Sequence, residues 1–108
     1  MRDTFEELYN TVVHRKEAKE EGSYTCYLFD KGLDKILKKV GEECSETIIA
    51  AKNGVKADTV GEISDLLYHL TVMMVNEGIS LNDVKAELDK RAQKTGNLKT
   101  FHQVNRNS

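Results

Sequence analysis

Hydrophobic residues recur every three or four positions along most of this chain, a spacing that places side chains on one face of an α-helix. The pattern predicts four helices, at about residues 4–19, 32–53, 57–77 and 80–94. The sequence contains no proline, the residue that most strongly disrupts a helix interior. We therefore expect an all-α fold.

Capping residues and glycines mark the ends of the predicted helices. Thr4 with Glu7 fits a capping box at the start of the first helix, and Ser80 with Asp83 fits one at the start of the fourth. Each of the first three helices is expected to end at or near a glycine: Gly22, Gly54 and Gly78.

The segment between the first two predicted helices, residues 22–32, is rich in aromatic and hydroxyl side chains and is bounded by glycines. We expect it to be a non-helical loop, with two interpretations open. In one, the side chains of residues 27–29 pin the loop to the core. In the other, three hydroxyl groups next to Lys31 contact substrate phosphate or an interface: Ser23, Tyr24 and Thr25.

The second and third predicted helices form the centre of the expected fold. The second has one apolar stripe, made of Ile36, Leu37, Val40, Cys44, Thr47, Ile48 and Ala51. The third has a stripe made of Val60, Ile63, Leu66, Leu67, Leu70, Met73 and Met74, with Tyr68 and Val72 outside it. A helix that is apolar this far round has a second surface to bury. The short connection at residues 54–56 predicts an antiparallel helical hairpin.

Length and charge narrow the class of protein. The chain has 108 residues and a mass of 12.2 kDa, enough for one domain, which we expect at residues 1–95 with a C-terminal tail at 96–108. It has 16 Lys+Arg and 18 Asp+Glu, so it lacks the basic surface typical of nucleic-acid binding. Without a membrane-length apolar run or a signal-like N-terminus, we expect a cytoplasmic protein with no membrane partner.

The two cysteines are too few for a disulfide scaffold or a four-cysteine zinc site. Cys44 falls within the apolar stripe of the second helix, so we expect it to pack in the core. Cys26 is expected to be a small buried residue and not a nucleophile.

Each helix of the predicted hairpin carries two carboxylates three positions apart, Glu43 with Glu46 and Glu62 with Asp65. Residues at this spacing share a helix face, and both pairs flank the apolar stripes. The pairs lie at similar heights before and after the turn, so all four side chains can converge. Ligation by carboxylates alone favours Mg²⁺, or Mn²⁺, over zinc.

Two other interpretations of these acidic residues remain. They could decorate a solvated face, which is the usual explanation for a single pair on one helix. They could also form a di-iron site, but such sites use Glu-x-x-His pairs, whereas this chain has Glu-x-x-Glu and Glu-x-x-Asp.

The lysines that precede the acids of the second helix are Lys35, Lys38 and Lys39. Their spacing fits ion pairs one helical turn apart, as between Lys38 and Glu42. It also fits a phosphate clamp next to a bound metal, the arrangement used to cleave phosphoanhydrides, with Lys52 as a further candidate.

His69 lies four residues after Asp65, on the helix edge that carries Glu62. It could orient a carboxylate, contact substrate or bind metal. A histidine whose hydrogen bonds are satisfied at a helix interface is the commoner case.

Several segments together resemble the phosphoribosyl-ATP pyrophosphatase family, over about residues 5–91. The matching segments are residues 22–29, 35–43, 50–52 and 62–70. The run from Ser23 to Thr25 and the run from Asp65 to His69 make the resemblance specific. The carboxylate pattern alone is shared with a wider superfamily, the all-α nucleoside triphosphate pyrophosphatases of the MazG and dUTPase type.

The resemblance implies Mg²⁺-dependent hydrolysis of phosphoribosyl-ATP to phosphoribosyl-AMP and pyrophosphate, the second step of histidine biosynthesis. It also implies a homodimer or higher assembly, in which helical hairpins form an arrangement like a four-helix bundle. The family pattern puts metal ligands at Glu43, Glu46, Glu62 and Asp65, with Glu42 as a fifth participant.

Two alternative functions stay open. One is a house-cleaning pyrophosphatase that acts on non-standard nucleoside triphosphates, against which the lysine cluster and the hydroxyl-rich segment argue. The other is a dimerising helical adaptor without enzymatic activity, whose acidic residues are only surface.

Overall fold

The computed structural model describes residues 2–94, and the predicted tail at 96–108 lies outside them. Within that range the chain forms five helices and no strand, which confirms the all-α prediction. The helices are α1 (Thr4–Glu17), α2 (Tyr24–Lys31), α3 (Leu33–Asn53), α4 (Lys56–Glu77) and α5 (Leu81–Ala92).

The prediction of a loop at residues 22–32 is wrong, because Tyr24–Lys31 form the helix α2. The Ser23 hydroxyl caps this helix by accepting a hydrogen bond from the Cys26 amide, at 3.2 Å. The helix buries Leu28 completely, while Tyr27 stays 40% exposed. Aromatic and β-branched residues have low helix propensity, but burial of one face can override it in a short helix.

The ends of α1 also differ from the sequence prediction. Asp3, not Thr4, is the N-cap, and its carboxylate accepts hydrogen bonds from the amides of Phe5 and Glu6, at 3.0 and 3.4 Å. Asp ranks above Thr at this position. The helix ends at Glu17, where Ala18 turns to an extended conformation, well before Gly22.

The other predicted boundaries are confirmed within a residue or two. Gly54 ends α3 and Gly78 ends α4, each with the positive φ that favours glycine. Two residues separate α3 from α4, and the two helices pack side by side as the expected hairpin. Ser80 and Asp83 form the predicted capping box of α5.

The core lies between α1, α2, α3 and the C-terminal half of α4. Its buried members are Val12, Leu28, Ile36, Val72 and Val75. The predicted stripe of α4 is therefore not the face that forms this core. Both sides of α4 are apolar, and α1 and α2 cover the side that carries Tyr68 and Val72.

The two cysteines have different environments in the single chain. Cys26 is buried, as predicted, and its thiol contacts the Arg15 carbonyl oxygen at 3.4 Å. Cys44 is exposed, so its prediction as a core residue is wrong. Only Ile36 of its predicted stripe enters the core, whereas Leu37 and Ile48, which share a helix face with Cys44, are 44% and 64% exposed.

Helix α5 extends from the core and contains no buried residue. The Lys85 ammonium group lies 3.6 Å from the Glu6 carboxylate and 3.9 Å from that of Asp3, which links α5 to the start of α1. No helix within residues 2–94 has both the length and the hydropathy needed to cross a bilayer.

We expect Leu28→Ala to lower the free energy of unfolding by about 2–5 kcal/mol, because it leaves a cavity where α2 meets the core. Urea denaturation followed by circular dichroism measures the change. Leu88→Ala is the matched control, since Leu88 is 45% exposed and should cost far less. Equal losses in the two variants would contradict the burial of α2.

Candidate metal centre

Three carboxylates meet where α3 packs against α4. Glu43 of α3 and Glu62 and Asp65 of α4 each offer one oxygen atom, and these atoms lie within 4.8 Å of one another. The helical repeat places Glu62 and Asp65 on one face of α4, and the antiparallel hairpin brings Glu43 opposite them. The structure therefore brings together three of the four residues predicted as metal ligands.

Glu43 is the buried member of this cluster. Its side chain is only 7% exposed, and its Oε2 atom is buried without a hydrogen-bond partner. A buried carboxylate oxygen without a partner costs free energy, because it loses the hydration it has in the unfolded chain. A cation between the three carboxylates would supply the missing interaction.

The fourth predicted ligand, Glu46, lies beside the cluster. It lines a groove together with Glu62 and Asp65. Its carboxylate is close enough to Glu43 and Glu62 to contribute to the raised pKa of both groups. Glu46 is thus an exposed neighbour of the tight group and not one of its three members.

The carboxyl groups of the cluster raise the pKa of one another. Burial, followed by interaction with the neighbouring Glu46 carboxyl and then repulsion by Asp65 and Glu62, raises the pKa of Glu43 to about 7. Burial and repulsion by Glu46 also raise the pKa of Glu62. Each shift means that the charged form is disfavoured, and a bound divalent cation would reverse that preference.

The chemistry of the donors fits a hard divalent cation. All of the converging atoms are carboxylate oxygens, the ligands preferred by Mg²⁺ and Mn²⁺. The cluster within the described part of the chain contains no histidine or cysteine, which zinc and di-iron sites use.

The groove that adjoins the cluster runs between α3 and α4 towards the hairpin turn, with a volume of about 650 Å³. Asn53 and Asp58 lie at its turn end, and Gly61 lies on its wall. The sequence interpretation missed these residues. Asp58 stands four positions before Glu62, and Asn53 stands seven after Glu46, so helical spacing was the available signal.

The predicted phosphate-binding lysines divide into two groups. Lys39 forms an ion pair with Glu42, at 3.2 Å, which lowers the pKa of the Glu42 carboxyl. Lys38 and Lys35 also act on Glu42 electrostatically. Lys52 lies apart from these three, exposed in the last turn of α3.

His69 is buried, with 5% of its surface exposed, and both of its ring nitrogens are used within the fold. Its Nδ1 donates to the Asp65 carbonyl oxygen at 2.9 Å, because a carbonyl can only accept. In the neutral ring Nε2 is then the acceptor, and the Tyr24 hydroxyl donates to it at 3.2 Å. This arrangement fits the interpretation of a satisfied histidine at a helix interface.

The hydroxyl groups predicted to contact phosphate or an interface all have partners inside the chain. Ser23 caps α2, and Tyr24 contacts His69. Thr25 forms a short hydrogen bond with the hydroxyl of Tyr68. These contacts fasten α2 to the part of α4 that follows Asp65.

Comparison with known proteins gives a consistent match. The sequence profile of a family described as phosphoribosyl-ATP pyrophosphohydrolase matches residues 5–92, which include both carboxylate pairs. A phosphoribosyl-ATP pyrophosphatase of Clostridium novyi is 56% identical over 97 residues, or 90% of this chain and 88% of that protein. One of Streptococcus thermophilus is 55% identical over 93 residues, or 86% and 89%.

A longer protein also matches. A histidine biosynthesis bifunctional protein of Lactococcus lactis is 53% identical over 100 residues, which cover 93% of this chain and 47% of that protein. The present chain thus corresponds to about half of the bifunctional protein.

In the absence of metal, we expect the free energy of unfolding to fall as the pH rises from about 4.5 to 7. The folded state then holds a proton on Glu43 that the unfolded chain, with the ordinary pKa of 4.5, has released. Urea denaturation with a chelator present, repeated across this pH range, measures the slope. Glu43→Gln is the control and should give a shallower slope. A wild-type stability that rises across the range would contradict the raised pKa.

Proposed function

The chain belongs to the phosphoribosyl-ATP pyrophosphohydrolase family, and we infer that it hydrolyses the α-β phosphoanhydride of 1-(5-phosphoribosyl)-ATP. The products are 1-(5-phosphoribosyl)-AMP and pyrophosphate, and the reaction is the second step of histidine biosynthesis. The observation that carries this inference is the family match over residues 5–92, and the buried, unpartnered carboxylate oxygen of Glu43 within the cluster supports the binding of a cation there. We expect the enzyme to act in the cytoplasm.

We propose that Glu43, Glu62 and Asp65, with Glu46 beside them, hold Mg²⁺. The bound ion would neutralise the triphosphate and lower the pKa of the attacking water. The carboxylates would hold the ion at one side of the α3–α4 hairpin, and Glu46, which lines the groove, would orient the attacking water. In this proposal three of the four predicted ligands bind the ion directly, and the fourth, Glu46, acts on the water.

The lysines at the start of α3 would bind the phosphates that leave as pyrophosphate. Lys35, Lys38 and Lys39 precede the carboxylates on the same helix, so positive charge borders the metal centre on one side. Glu42 holds Lys39 at 3.2 Å, which would keep that ammonium group close to the site before substrate binds. Glu42 would therefore act through Lys39 rather than as a direct metal ligand.

We also propose that two chains associate through the apolar face of the hairpin that points away from the core. This face includes Leu37 and Ile48 of α3 and Val60 and Ile63 of α4, all between 42% and 64% exposed. A large exposed apolar patch of this kind is typical of a protein interface. Pairing two hairpins would form an assembly like a four-helix bundle.

We expect the wild-type protein with Mg²⁺ to release pyrophosphate from phosphoribosyl-ATP, and Glu62→Gln and Asp65→Asn to lose at least about 100-fold in kcat, since each removes a charge that holds the metal. A coupled assay for pyrophosphate measures the rates. Glu87→Gln on α5 is the control and should retain full activity. Full activity in both site variants would exclude this metal centre.

The same assay separates the alternative functions. A house-cleaning enzyme would turn over a panel of nucleoside triphosphates as well as phosphoribosyl-ATP. An adaptor would hydrolyse none of them and would gain no thermal stability from Mg²⁺.

We expect Ile63→Lys to shift the protein from dimer to monomer, because it places a charge in the middle of the apolar face. Sedimentation equilibrium measures the mass. Phe5→Lys is the control, since Phe5 is 54% exposed but lies on α1, away from this face. A monomeric wild type, or an Ile63→Lys protein that remains dimeric, would contradict the proposed interface.

A further inference from the structure

One face of α4 changes in character halfway along the helix. In the C-terminal half this face carries large side chains that pack on α1 and α2: Tyr68, Val72 and Val75. In the N-terminal half the same spacing of three and four positions continues with small residues: Ala57, Gly61 and Ser64. These small residues line the groove next to the carboxylates. The groove exists because no large side chain fills this half of the face.

On the side of α3 that faces α4, the type of side chain changes in a regular order along the helix. Residues that recur at three and four positions run from lysines, through the carboxylates, to the turn: Lys35, Lys39, Glu43, Glu46, Ala50 and Asn53. The carboxylate cluster therefore has positive charge on one side and the open part of the groove on the other. A substrate that spans the cluster must extend in both directions.

The charges on either side of the cluster indicate which end of a bound nucleotide lies towards the lysines and which end lies towards the hairpin turn. Cleavage between the α and β phosphates separates a highly charged pyrophosphate from a nucleoside monophosphate. Among residues 2–94, the turn end of the groove is lined by the Asp58 carboxylate and by no lysine, so it disfavours the triphosphate chain. Lys52 and Lys56 are near the turn, but neither lines the groove.

We propose that the turn end of the groove is the nucleoside subsite, which binds the base and ribose attached to the α phosphate. This proposal rests on the function inferred above and adds three residues to it, Asn53, Asp58 and Gly61. Glu43, with its buried and unpartnered oxygen, marks the end of the groove where the phosphates react.

The chemistry of these residues suits a nucleoside. The Asp58 carboxylate only accepts hydrogen bonds, and ribose hydroxyls are donors. The Asn53 amide both donates and accepts, as the edge of an adenine ring does. A Cβ atom at Gly61 would meet no atom within 4 Å, so the wall there leaves room for a flat ring. The volume of about 650 Å³ is within the usual range for ligand sites.

The test compares two ligands that share the triphosphate and differ in the nucleoside. One is α,β-methylene-ATP, whose bridging carbon prevents cleavage, and the other is inorganic tripolyphosphate. Calorimetry in the presence of Mg²⁺ gives both dissociation constants for each variant. The methylene bridge prevents cleavage of the nucleotide analogue between its α and β phosphates, and tripolyphosphate carries no nucleoside. The comparison therefore decides the subsite even if phosphoribosyl-ATP is not the substrate.

We expect Gly61→Leu, which fills the groove, to weaken binding of α,β-methylene-ATP by at least about 10-fold and to change binding of tripolyphosphate by less than about 2-fold. Asp58→Ala should weaken the nucleotide analogue alone, and it should not weaken tripolyphosphate, because it removes a negative charge. Because Asp58→Ala introduces no large side chain, it shows whether a loss in Gly61→Leu comes from the groove or from a distortion of the helix by leucine.

Ala86→Leu is the matched control, since Ala86 is also a small residue inside a helix, is exposed on α5 and does not line the groove. It should leave both dissociation constants unchanged. Equal losses for the two ligands, or no loss for the nucleotide analogue in either groove variant, would overturn the proposal. The same discrimination in Ala86→Leu would overturn it as well.

Discussion

The burial of the Glu43 carboxyl between α3 and α4 is the constraint on which the site depends. A carboxyl group that is nine-tenths buried is unfavourable as an anion, and this one has three other acidic residues around it. The packing of Ile36 and Ala50 on the same helix holds it there, since both are buried. The helical hairpin thus uses part of its packing energy to keep an acidic group out of water, where a divalent cation can compensate it.

The surface of α4 has three parts with different surroundings: the two halves of one face, and the opposite face. One half of a single face packs on α1 and α2, the other half borders the groove, and the opposite face is apolar and uncovered. A polar outer face would have been enough for a monomeric enzyme. Helix α4 therefore combines a core face, a wall of the groove and an uncovered apolar face, the last of which we propose for association with a second chain.

Helical periodicity was sufficient to predict α3, α4, α5 and the hairpin. Each has a repeating apolar pattern, and its boundary is marked by a terminal glycine in α3 and α4 and by a capping box in α5. Helical periodicity also predicted that carboxylates of the two helices converge, which the structure shows for Glu43, Glu62 and Asp65, whereas Glu46 lies beside that group. It failed for α2, whose eight residues are stabilised by the burial of Leu28 and not by propensity. It also could not decide which apolar face of α4 meets the core, because that depends on where α1 and α2 pack.

Helix α2, which contains the hydroxyl-rich residues, is linked to the carboxylate cluster through α4. The Tyr24 hydroxyl donates to His69, and His69 donates to the carbonyl oxygen of Asp65, so the turn of α4 that carries Asp65 is fastened from outside the hairpin. Such links to groups beyond the ligands hold ligand side chains in orientation. A loop at this position would leave that turn of α4 without support, which gives a physical reason for the segment to be helical despite its composition.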